Sequence, residues 1–230
     1  ISLGRICGKD SRDNVLINRL NTALLRICFL ALSMPETRFS IPFYEKDCPV
    51  IGCPVFGSLA AQRAALDQLL DKEQWPKPER EATGRPRIGS EFCSLTHGGG
   101  WAWATRSNHP IGIDVEATSP RMERVRSKFV GPQDQPVLDW FGDNPNTLCR
   151  IWTAKEAAFK VFGTGVDFLT GLRWTEVHDH GAQLFAVQQS RALTLHWKWL
   201  DAPKNAVTAE HETRAEPNQV WLALCGAAPD

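Results

Sequence analysis

The chain lacks any Cys-x-x-Cys pair. Its seven cysteines (Cys7, Cys28, Cys48, Cys53, Cys93, Cys149 and Cys225) are odd in number and scattered over 230 residues. That pattern argues against a disulfide framework or a zinc knuckle and for reduced thiols in a cytoplasmic setting. Cys48 and Cys53, beside prolines, have a spacing open to a disulfide or a weak metal pair, although two unrelated thiols is the simpler reading. Charge excess is absent too: 26 basic and 26 acidic residues cancel, which removes the global field expected of a nucleic-acid binder. No apolar run reaches the length of a membrane span, and no charged–apolar–small pattern opens the chain. The first residue is Ile1 rather than Met, so a trimmed or incomplete start is expected. Internal repeats and low-complexity segments are missing. So are a Gly-x-Ser-x-Gly elbow and a convincing Ser/His/Asp set, which argues against a covalent serine nucleophile.

What is present is enough length for one domain or two small subdomains with a substantial core. Residues 1–57 mix apolar stretches with a proline patch at Pro42, Pro49 and Pro54. Ser58 to Leu70 reads as an amphipathic helix capped by Ser58. Trp75 to Arg87, rich in proline and charge, reads as loop. Phe92–Leu95 and Trp101–Thr105 read as strands bridged by Thr96–Gly100, and Ile111–Glu116 as another strand. Arg121 to Asp143 is a connector with some helical pattern. A longer helix is expected from Asn146 or Thr147 to a stop at Gly163. Strands follow at Leu172–Val177, Gln183–Val187, Ala192–Trp199 and Gln219–Cys225, with a polar loop over 202–218. Alternation puts Leu193, Leu195, Trp197 and Trp199 on one face. Each half reads as a helix plus a three-stranded antiparallel meander, which is an α+β pattern.

Two short blocks carry chemistry. In Gly112-Ile113-Asp114-Val115-Glu116, alternation points Ile111, Ile113 and Val115 to a core and Gly112, Asp114 and Glu116 to the opposite side. The two acids sit about 6–7 Å apart along the strand. Carboxylates that close repel unless a cation intervenes, and Mg²⁺ suits one or two carboxylates plus phosphate oxygens and water. In Trp152-Thr153-Ala154-Lys155-Glu156-Ala157-Ala158-Phe159-Lys160, spacing by four lines Trp152, Glu156 and Lys160 along one helical stripe. The rest of this helix is largely apolar, and charges on a buried helix need a partner or a task. Glu156 as a third ligand, with Lys155 and Lys160 on phosphates, supplies both. Upstream, Thr83-Gly84-Arg85-Pro86 and Ser94-Leu95-Thr96-His97-Gly98 offer phosphate donors in Arg85, Thr96 and His97.

In this order the blocks resemble the 4′-phosphopantetheinyl transferases, specifically the Sfp/EntD-like group, over about residues 83–165. The resemblance implies two similar α+β subdomains related by a pseudo-twofold, residues 1–110 and 111–230, with the active site at their interface and a monomeric chain. It implies transfer of the phosphopantetheine arm of coenzyme A to a serine of an acyl, peptidyl or aryl carrier protein, releasing 3′,5′-ADP. Residue by residue, it implies Asp114, Glu116 and Glu156 as Mg²⁺ ligands, with Mn²⁺ an alternative. Glu156 becomes the base for the serine proton, Lys160 the group that stabilises the leaving phosphate, and Lys155 a contact to pyrophosphate or pantetheine. Arg85, Thr96 and His97 match positions that bind the adenosine 3′-phosphate, and Arg63 matches a further phosphate contact. Arg85 stands where the family often has lysine, Thr96 where it commonly has serine, and the region before residue 58 matches poorly. The pathway served, among siderophore, polyketide, peptide or fatty-acid assembly, is left open.

Arg121, Arg124, Arg126 and Lys128 form a basic stretch with Glu123 the only acid, suited to docking an acidic carrier protein. His178 and His180 read as a hairpin tip. The alternating Trp101, Trp103, Trp197 and Trp199 read as core faces rather than base-stacking platforms. Two other readings of the blocks stay open: a non-catalytic coenzyme A or nucleotide-binding module, and a metal-dependent pyrophosphate hydrolase.

Overall fold

The computed structural model describes residues 37–43, 46–201, 203 and 220–227. Most of the poorly matching N-terminal region, and the expected loop over 202–218 apart from Pro203, lie outside the described residues.

An antiparallel hairpin, β1 (Thr37–Phe43) and β2 (Lys46–Pro54), opens the described chain. Helix α1 (Leu59–Lys72) follows, and the Ser58 hydroxyl accepts from the Ala61 amide as its N-cap. The stretch read as loop over Trp75–Arg87 contains two short strands, β3 (Glu79–Arg80) and β4 (Pro86–Ile88), paired with each other. Their proline and charge content hid them: β3 is the sheet's edge strand, and Pro86 opens β4 ahead of its pairing with β5. Strands β5 (Glu91–Gly98) and β6 (Trp101–Ser107) are longer than expected. Thr96 and His97 belong to β5, and the turn narrows to Gly99-Gly100, both at positive φ as a tight two-residue hairpin requires. These strands form a six-stranded sheet in the order β1-β2-β6-β5-β4-β3.

Strand β7 (Ile111–Ala117) begins the second sheet. The connector holds α2 (Arg121–Val125), two 3₁₀ turns at Arg126–Lys128 and Pro132–Asp134, and α3 (Gln135–Phe141). Helix α4 (Pro145–Phe162) starts just before the expected position, because the Asn144 side chain caps the Thr147 amide. It ends at Gly163 in the left-handed region. Strands β8 (Leu172–His178), β9 (Gly181–Ala186), β10 (Arg191–Leu200) and β11 (Val220–Ala227) complete a five-stranded sheet ordered β7-β11-β10-β9-β8. Neither sheet is a simple meander, since β6 and β11 each insert between strands distant in sequence.

The described residues are of the α+β class, in stacked layers. One face of β7 and β11 packs Ile111, Ile113, Val115, Val220, Leu222 and Leu224 against Val50 and Trp103 of the first sheet. The other face packs Ala223 and Cys225 against α4 through Ile151, Ala154, Ala157 and Ala158. Helix α1 covers the far side of the first sheet through Leu66, Leu69 and Leu70. Burial on both sides explains the unbroken apolar run of β11. Trp199 keeps the expected alternation but is 55% exposed at the end of the strand, while Leu200 on the opposite face enters the other core. Cys48 and Cys53 are both thiols; five residues apart on one strand, they point to opposite faces. Among the described residues no helix is long and apolar enough to cross a membrane.

Candidate active site

The site is made where β5, β7 and α4 meet. Among the described residues, strand β7 lies at one edge of its sheet and pairs with β11 alone. Side chains close its outer edge. The Ile113 amide donates to Ser94 Oγ at 3.0 Å, and the Ile113 carbonyl accepts from Lys160 Nζ at 2.9 Å. On β5, Ser94, Thr96 and Gly98 alternate toward β7. A Cβ on Gly98 would lie 2.4 Å from the Val115 carbonyl oxygen. Small and polar side chains at these positions allow the two sheets to touch backbone to backbone.

Helix α4 approaches β7 from the other face just as closely. A Cβ on Gly112 would lie 1.9 Å from the Ala157 carbonyl oxygen and 3.0 Å from Lys160 Cβ. This near-contact brings the helical Glu156 and Lys160 over the strand-borne Asp114 and Glu116. Asp114 is 8% exposed, and its Oδ1 accepts from Lys160 Nζ at 2.8 Å and from Thr96 Oγ1 at 3.0 Å. Burial pushes the Glu116 carboxyl up from its ordinary value and Asp114 adds to the rise, against the amide of Ala117 bonded to Glu116 Oε1. Burial also raises Glu156, reinforced by Asp114 and Glu116 and opposed by Lys160. The three acids therefore share one electrostatic site. Beside them, burial lowers the His97 imidazole, and the charges of Lys160 and Arg63 lower it further. Arg63 and Lys160 thus form a positive flank to the acids, with the His97 imidazole held toward its neutral form beside them.

Lys160 also lines a cleft of about 380 Å³ bounded by Arg80, Thr83, Arg85, Ser94, Leu95 and Phe159 among others. Arg85 sits in its wall, but its donors are engaged. Its guanidinium bonds Glu81 and donates at 2.9 Å to the Val161 carbonyl in the last turn of α4. A cation at a helix C-terminus is favourable, so Arg85 caps α4, and an anion would have to displace Glu81 to be gripped by both guanidinium edges.

Two of the expected phosphate contacts have their donors engaged within the protein. Thr96, expected at a phosphate, is 5% exposed and donates its hydroxyl to Asp114 on the face of β5 turned to β7. Lys155, expected at pyrophosphate or pantetheine, is fully buried. Its ammonium donates to the Phe129 carbonyl and Asp134 Oδ2, both at 2.7 Å, and to the Phe168 carbonyl. An ammonium has three donors, so none is left for a ligand. One helical step separates Lys155 from Glu156, enough to turn it from the acids into the core. Trp152, on the expected stripe, packs against Phe129 and Phe168. Sequence reasoning missed Ser94, Glu81 and Asp134. The small-polar alternation of Ser94, Thr96 and Gly98 was a readable signal; nothing local marked the other two.

Among the described residues no group of three or more His, Cys, Asp or Glu side chains is gathered tightly enough to hold a metal unaided. The donor chemistry nevertheless fits a hard cation. Two of the three acids are raised by burial and by mutual repulsion, a state that a cation relieves. Mg²⁺ in particular takes few protein oxygens and completes its shell from water and phosphate.

Three acids and Lys160 thus converge from a strand and a helix of an α+β protein, and Lys160 also reaches the cleft. The family model of the 4′-phosphopantetheinyl transferase superfamily matches residues 110–223. The chain is 22% identical over 116 residues to the 4′-phosphopantetheinyl transferase gsp of Aneurinibacillus migulanus, covering 49% of each protein. It is 25% identical over 171 residues to the putative 4′-phosphopantetheinyl transferase slr0495 of Synechocystis sp., covering 72% of this chain and 65% of that one. It is 38% identical over 64 residues to a holo-[acyl-carrier-protein] synthase of Campylobacter jejuni, covering 24% of this chain and 51% of that one. The matches thus cover between about half and two thirds of these relatives.

Proposed function

We propose that the protein transfers the 4′-phosphopantetheine arm of coenzyme A to a serine hydroxyl of an acyl, peptidyl or aryl carrier protein, in the manner of the Sfp/EntD-like group. The observation that carries this reading is the meeting of Asp114, Glu116, Glu156 and Lys160 across the β7–α4 contact, within the stretch that matches the superfamily. In this reading the active site lies between subdomains 1–110 and 111–230, which are related by a pseudo-twofold, and the protein acts as a cytoplasmic monomer.

Asp114, Glu116 and Glu156 would hold Mg²⁺. When bound, the ion neutralises charge on the pyrophosphate and orients it. His97 and Arg63 hold the phosphates of coenzyme A on the positive flank, and the cleft beside Arg85 receives the rest of the nucleotide. Glu156 accepts the serine proton, directly or through a bound water. The serine oxygen bonds to the phosphorus next to pantetheine as the bond from that phosphorus to the bridging oxygen breaks. That oxygen leaves with 3′,5′-ADP. Lys160, fixed by Ile113 and Asp114, stabilises the charge developing on the leaving phosphate. The exposed cations of the basic stretch at 121–128 receive the acidic carrier.

The test is to incubate the protein with coenzyme A, Mg²⁺ and an apo carrier protein and to weigh the carrier. Gain of the phosphopantetheine arm supports the proposal. Cleavage of coenzyme A with an unmodified carrier would favour hydrolysis, and binding without either reaction would favour a binding module.

A further inference from the structure

Building on the transferase reading, we infer that Lys155 is a positioning residue that fastens the Glu156 helix to the basic segment 121–134. The surface that receives the carrier protein and the carboxylate that activates its serine are thereby held as one piece.

Lys155 ties three separate stretches of chain to α4. Its ammonium holds Phe129, which follows the first 3₁₀ turn, Asp134 at the end of the second, and Phe168 beyond the helix C-terminus. Asp134 is satisfied in turn: Oδ2 accepts from the Gly131 amide at 2.8 Å and Oδ1 from Trp174 Nε1 at 2.8 Å. Both members of the pair are 0% exposed. Trp152 closes the junction, with its ring 5.2 Å from Phe129 and 5.7 Å from Phe168. A buried ion pair of this kind seldom stabilises a fold more than apolar packing of the same volume does. What a saturated point charge adds is direction, since it fixes three oxygens about one atom. Here that atom belongs to the residue immediately before Glu156. A carrier docked on 121–134 thus sees Glu156 at a set distance, and catalysis is sensitive to displacements of about 1 Å.

Lys155→Met alone would leave the Asp134 carboxylate buried and unpaired, which threatens folding. The test therefore uses the full chain carrying both Lys155→Met and Asp134→Asn. It has three readouts: calorimetric binding of coenzyme A, transfer rates against carrier concentration, and amide hydrogen exchange across 126–134 and 163–170. The double variant is expected to bind coenzyme A within about twofold of the parent. Its kcat should fall on the order of 10²-fold, its KM for carrier should rise while that for coenzyme A holds, and exchange in the two segments should quicken while β9–β11 stay protected. A folded double variant that loses more than about tenfold in coenzyme A affinity would place Lys155 on the nucleotide and overturn the inference. Unchanged exchange in both segments would overturn it too. If the parent protein transfers nothing, the transferase reading fails by itself, and the exchange result alone decides the inference.

Discussion

The acids of this site carry a stability cost that the sequence alone conceals. Glu116 and Glu156 are raised in the folded state, chiefly by burial and then by neighbouring negative charge. A carboxyl raised on folding contributes stability that is fully present below its unfolded value, ordinarily 4.5, and is lost as pH rises through the folded value. The metal-free protein should therefore weaken as pH climbs from the ordinary carboxylate range toward neutrality. Glu156→Gln keeps the shape and removes one charge. At neutral pH it should melt higher than the parent, by roughly 2–4 °C for each kcal/mol of repulsion relieved, and this advantage should vanish in acid. The same variant should not transfer the phosphopantetheine arm at all. Melting curves over a range of pH, paired with the carrier mass assay, check both halves. A variant that melts no higher than the parent at neutral pH, or that remains active, would remove Glu156 from the role given it.

At the scale of elements, the site depends on how near α4 comes to β7, and Gly112 sets that distance. An alanine there must push its methyl into the Ala157 carbonyl and Lys160 Cβ. Overpacking of this kind costs about 1–3 kcal/mol. The greater effect should be functional, because moving α4 separates Glu156 and Lys160 from Asp114 and Glu116. Gly112→Ala is expected to lower kcat on the order of 10²-fold in a protein that still folds, read from transfer rates beside a melting curve; near-parental kcat would refute the close-approach argument. How much of this was legible follows from range. Alternation within β7 revealed which face carried Asp114 and Glu116, and the four-residue period of α4 aligned Glu156 with Lys160. Both are local regularities. The burial of Lys155 depends on Asp134, twenty-one residues away, and the engagement of Arg85 on the Val161 carbonyl, seventy-six residues away. No local pattern encodes such partners. The hydrogen bond from Thr96 to Asp114, eighteen residues away on another strand, is of the same long-range kind.

Over the whole molecule, a net charge of zero conceals a local asymmetry. The acids are held inside the β7–α4 contact, whereas Arg121, Arg124 and Lys128 stand exposed on the connector beside it. Arg126 is partly spent on Asp143. Among the described residues the other three form no ion pair, but they are not equivalent. Arg121 eases the Glu116 carboxyl downward, so reversing it would disturb the acids as well as the surface. Arg124 and Lys128 give the cleaner test. Changing both to Glu replaces two attractions to an acidic carrier by two repulsions. Exposed pairs are worth up to about 1 kcal/mol each, so KM for the carrier should rise roughly 5- to 30-fold while KM for coenzyme A stays put. Ionic strength supplies an independent sign. Salt should raise the parent's carrier KM by screening the attraction, and should lower that of the charge-reversed variant by screening the repulsion. Rates measured at low and high salt against one acidic carrier distinguish the two slopes. Parallel slopes would mean that the carrier docks elsewhere and that the basic stretch is only a solvated face.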